Sequence, residues 1–164
     1  MNNAIIKIGQ FPSIADIEIH NIDKYRKLLK NEYRDFSKAI GLYANGIGAG
    51  SLVYLRRIFE NLIDEKREIA ASNPEWDNDN YQRAKMDEKI KMLKSFLPPI
   101  LVENRKIYGL MSKGIHELSE KTCKDIFPNI ELGIELILDT KLAEIEKKNK
   151  EHRFRNFISN ATQK

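Results

Sequence analysis

Cysteine is nearly missing from this chain, and the scarcities set its first limits. The lone Cys123 of the 164 residues excludes an internal disulfide and fits a reducing compartment. His20, His116 and His152 lie far apart, with no second cysteine and no His-x-x-x-His pair, so no metal and no cofactor is expected. "HELSE" at 116–120 opens like a zinc-protease helix, but Glu120 stands where the second histidine belongs. No apolar run reaches the roughly 18 residues of a membrane span, so no membrane partner is expected. The start of the chain lacks the charged end, apolar stretch and cleavage site of a secretory signal, which points to the cytoplasm. "GIGAGS" at 46–51 lacks a Gly-Lys-Ser/Thr ending and follows a helix-like segment, so it does not read as a phosphate loop. Gly46 and Gly50, four apart, suit the close approach of another backbone instead.

What is present is helical. Hydrophobic residues make up 41% and charged residues 32%, a balance for one soluble domain with a core of its own. Strands do not alternate with helices, so a parallel α/β fold is not expected. The isoleucine-rich stretch 1–21, broken by Gly9 and Pro12, reads as an extended N-terminal arm packed on the body or on a partner. Asp23 suits the cap of a short helix over "KYRKLL". Tyr33, Phe36, Ile40 and Tyr43 or Ala44 recur at helical steps. Leu52, Leu55, Phe59, Leu62 and Ile63 form a strong stripe that Val53, Tyr54 and Ile58 widen, so this helix is expected at the centre of the core. A polar loop over "SNPEWDNDN" precedes a helix at 81–97, with Met86, Ile90, Leu93 and Leu97 inward. Pro98-Pro99 stops it and a new helix starts at once, over 100–112. Ser119 caps a short helix that Phe127-Pro128 closes. The last helix covers 129–150 or beyond, with Ile130, Ile134, Ile137, Leu138, Leu142 and Ile145 inward. The expectation is an all-α bundle of four main helices plus short ones: arm 1–21, bundle 22–150 and a basic tail 151–164.

Charge marks two candidate binding regions. Net charge is +4, yet 147–164 holds six Lys/Arg against the single Glu151. Arg153 and Arg155 are therefore candidates for contacts to phosphate backbones. The same cations also suit a solvated helix end. In "RRIFENLIDE", Arg56 and Arg57 are spaced to pair with Glu60 at i+4 and i+3. Partly buried charges there would mark either a structural network or a binding site formed by Arg56, Arg57 and Glu60.

A resemblance enters at "LVENRKIYGLMSKGIHELSE". With "KIGQFPS", "KYRKLL", "AIGLYANGIGAGSLVYLRRIFENLI" and "MDEKI", it resembles one widespread, uncharacterised bacterial protein family over nearly the whole chain. Longer relatives carry a small module ahead of this region, which makes the chain readable as a structural fragment. From about Ser51 to Lys148 the order of elements is similar to HEPN domains, small all-α modules associated with nucleotides and RNA in bacterial defence and toxin systems. These are a core helix, a middle amphipathic helix, a helix ending in a histidine and a long last helix.

The resemblance implies a self-associating module, expected as a homodimer, that binds RNA, nucleotide or a protein partner without being an enzyme. It also implies an alternative. HEPN ribonucleases cut RNA without metal, using a histidine for proton transfer and an arginine, with about four to six residues between it and the histidine, for phosphate charge. His116 matches the histidine. Gly109, Leu110 and Met111 stand where the arginine belongs. Arg105 lies on the same face of an unbroken helix but about 16 Å away, and Lys113 is closer, so a divergent site would use His116 with Arg105 or Lys113. His116 suits equally a structural place after a helix end.

Overall fold

The computed structural model describes residues 9–162, leaving aside the side chains of 114–116 and 162. All regular structure among the described residues is helical. The order is α1 (Ile14–Asn21), a 3-10 turn (Asp23–Tyr25), α2 (Arg26–Leu29), α3 (Glu32–Ala44), α4 (Gly48–Ala70), α5 (Asn78–Arg83), α6 (Met86–Met92), α7 (Pro99–Glu103), α8 (Ile107–His116) and α9 (Glu120–Thr162). The all-α class stands. The chain divides into two compact units, Met1–Asn61 with Lys106–Glu131, and Leu62–Arg105 with Leu132–Lys164.

The first unit surrounds Tyr25, Phe36, Ile40, Leu52, Leu55, Phe59, Met111 and Phe127, all buried. Tyr43 stacks on Phe127 with ring centres 4.2 Å apart. Helix α3 ends in a glycine turn. Gly46 has φ +81°, and the Gly46 and Ile47 amides donate back to the Tyr43 and Leu42 carbonyls. Close backbone packing does occur in "GIGAGS", but at Gly48. A Cβ there would lie 2.7 Å from the Glu120 carbonyl oxygen and 2.8 Å from the Lys124 amide. The second unit buries Leu62, Ile63, Tyr81, Ile90, Leu93, Leu97, Leu101, Ile134, Ile137 and Leu138.

Five expectations are corrected. The arm is helical from Ile14, because Ser13 Oγ accepts the Asp16 amide at 3.1 Å while Asp16 accepts the Ser13 amide at 3.0 Å. That reciprocal cap outweighs the weak helix propensity of isoleucine. Asp23 opens a 3-10 turn but caps nothing; its carboxylate is used by side chains. The helix at 81–97 breaks at Ala84, which is extended (ψ 147°), and restarts where the Lys85 amide donates to Glu88 at 3.1 Å. The helix at 100–112 is interrupted, since the Asn104 side chain donates to the Ile100 carbonyl at 2.8 Å and α8 begins only at Ile107. Phe127-Pro128 closes nothing. Pro128 sits inside α9 on its exposed side, while Cys123, Phe127, Ile130 and Ile134 are buried on the other. Packing along that stripe holds the helix through the missing amide.

Candidate functional site

Helix α4 carries the first charged cluster, and all of it lies in the first unit. Arg56 Nε donates to Glu60 Oε1 at 2.9 Å, the i+4 pair expected from spacing. Tyr108, on α8, donates its hydroxyl to the same oxygen at 2.5 Å. The Arg56 guanidinium lies 5.3 Å from the Tyr108 ring centre. The Glu60 bond pushes the Arg56 pKa up, and burial, then Glu60, pushes Tyr108 up. Arg57 turns away from Glu60 and donates to Asp35 at 3.2 Å. Arg56, Glu60 and Tyr108 thus form one connected network.

The residues suggested for catalysis are placed as follows. Arg105 lies in the break between α7 and α8, half-buried, with Nη1 3.4 Å from the Val102 carbonyl. It belongs to the second unit, whereas Lys113 and His116 belong to the first. The unbroken helix that would have aligned Arg105 with His116 does not exist. Lys113 is exposed on α8. His116 is the last residue of α8, and its side chain lies outside the described residues.

"GIGAGS" holds an anion of its own. The Gly48 and Ala49 amides, at the start of α4, donate to Glu120 Oε2 at 2.5 and 3.1 Å. The carboxylate occupies the place a phosphate would take at a helix start. Ser119 caps α9 as expected, accepting the Thr122 amide at 3.2 Å. Burial, then the Glu120 charge, pushes the Cys123 thiol up, so Cys123 is not an activated nucleophile. Among the described residues no three His, Cys, Asp or Glu side chains are placed to hold a metal ion, and no helix is long and apolar enough to cross a membrane.

A second polar hub gathers around Asp23. Arg26 Nη2 donates to it at 2.8 Å and the Tyr33 hydroxyl at 2.6 Å, with His20 Nδ1 at 3.2 Å. The Arg26 and Tyr33 bonds hold the Asp23 carboxyl down at about 2. Arg26, Lys30, Arg34 and Lys38 follow one another at steps of four, a signal visible in the sequence but hidden there by the turn that separates α2 from α3.

The tail is the most open part of the chain. Residues 143–161 of α9 are all exposed. Phe154 and Phe157 are 65% and 67% exposed and share a helical face with Ile158. Arg153 and Arg155 flank that face on either side. At its start Glu144 pairs with Lys66 at 3.4 Å, and farther along i,i+4 pairs brace the helix, among them Arg155 with Glu151 at 3.8 Å and Lys150 with Glu146 at 4.0 Å. Comparison with family models, with curated proteins and with solved structures gives no match.

Proposed function

We propose that the protein is a non-enzymatic helical module of HEPN-like type in a bacterial cytoplasmic system, self-associating and binding single-stranded RNA through its C-terminal helix. The observation that carries this reading is the exposed tail, where Lys147, Lys148, Lys150, Arg153 and Arg155 surround the open faces of Phe154 and Phe157. Cations neutralise phosphates, and unpaired bases stack on exposed aromatic rings. The HEPN-like reading is supported by a helix ending on His116 followed by the long α9. Self-association is supported by Phe11, Ile14 and Ile17, which remain exposed at the N-terminal end.

The test is fluorescence anisotropy with a labelled single-stranded RNA over a salt series. Replacing the five tail cations by serine reduces the log–log salt slope by about 3 to 4. Replacing Phe154 and Phe157 by serine weakens binding at least about tenfold at fixed salt. Unchanged binding in both variants refutes the reading, as does retention on phosphatidylserine vesicles with no affinity for RNA. RNA stays intact in excess EDTA; cleavage that disappears in His116→Ala establishes the ribonuclease instead. Light scattering at tens of micromolar reads the dimer, and a clean monomer removes self-association.

A further inference from the structure

A groove of about 650 Å³ in the first unit carries four cations, Arg26, Lys30, Arg34 and Lys38, against one carboxylate, Asp35. Asp35 is already shared between Lys38 at 3.6 Å and Arg57 at 3.2 Å. Arg26 is held by Asp23. Among the described residues, Lys30 and Arg34 have no ion-pair partner, and both are exposed along the groove. Arg34 and Lys38 lie one turn apart on one face of α3, where like charges repel.

Lys30 adds a second, independent observation. Its backbone sits at φ 51°, ψ −112°, the one positive-φ position occupied by a residue other than glycine among the described residues. Glycine adopts such a conformation freely; a lysine does so under strain. The strained residue is the very one that sets a cation between Arg26 and Arg34.

We propose that this groove is a binding site for a compact phosphate chain, either inorganic polyphosphate or the triphosphate of a nucleotide, with Lys30 and Arg34 as its main contacts. Consecutive phosphates present dense charge to cations one turn apart, and the volume is that of a small-ligand site. The groove and the tail share no residue, and the proposal does not depend on the RNA reading.

The experiment is calorimetric titration of the full chain with sodium tripolyphosphate and, in parallel, with ATP. Binding of tripolyphosphate is expected in the micromolar range. Arg34→Ser weakens it about tenfold or more. Lys30→Gly does the same while the thermal midpoint holds or rises, since glycine relieves the strain. Equal affinity for the two ligands assigns inorganic chains; ATP at least about tenfold tighter assigns a nucleotide. Serine at the five tail cations leaves tripolyphosphate binding intact. The proposal is overturned if tripolyphosphate does not bind, if Lys30→Gly and Arg34→Ser bind as well as the unaltered protein, or if binding is lost only with the tail cations.

Discussion

From Glu120 to Leu138, helix α9 buries Cys123, Phe127, Ile130, Ile134, Ile137 and Leu138; from 143 to 161 it buries nothing. One backbone ladder runs through both stretches. The first tolerates a proline because packing fixes the helix on both sides of it. Beyond the Lys66–Glu144 pair at 3.4 Å, the second is sustained by local pairs that each contribute a few tenths of a kcal/mol. The same secondary structure therefore rests on tertiary contacts in one half and on local propensity in the other. Phe154 and Phe157 lie exposed there and open to a partner, which is why the tail carries the functional reading.

Substitutions can break or sharpen this contrast. The largest effect belongs to Phe127→Ala, which removes a fully buried ring stacked on Tyr43 and costs about 3–5 kcal/mol in urea unfolding. Pro128→Ala restores an amide to the Lys124 carbonyl on an exposed face and raises stability by about 2 kcal/mol. If Pro128→Ala is destabilising, the account of how packing carries the helix through this position is wrong. Gly48→Ala drives a methyl against the backbone of α9 and costs about 1–3 kcal/mol, read by the same unfolding curves. Phe157→Ala is the smallest, within about 0.5 kcal/mol, although it removes the same side chain from the same helix as Phe127→Ala. A loss of several kcal/mol there would mean that the tail packs on something in solution.

The elements legible in the sequence were those whose periodicity and packing agree. The stripe Leu52, Leu55, Phe59, Leu62 and Ile63 is buried, as is Ile58, whereas Val53 stays exposed. Phe36 and Ile40, the Ser119 cap and the new start at Pro99 follow the same logic. On α9 the inward set holds through Leu138, weakens at half-buried Leu142 and fails at exposed Ile145, where the core ends while the pattern continues. The breaks at Ala84 and Asn104 were illegible because neither glycine nor proline marks them; an amide–carboxylate cap and a side-chain-to-carbonyl bond do. The Arg56–Glu60 pair was visible as an i+4 spacing, but Tyr108, 48 positions away, was not. The groove cations were missed because a helix-period reading stops at the turn containing Lys30, while the chain continues their spacing across it.

Helix α4 has no side-chain cap of its own, since Ile47 before it offers no acceptor. Its first two amides depend on a carboxylate about 70 positions later. During synthesis at roughly 5–20 residues per second, the start of α4 is therefore exposed for several seconds before Glu120 is made. Through that interval the first amides of α4 lack the acceptor they have in the fold, and the arrival of α9 supplies it.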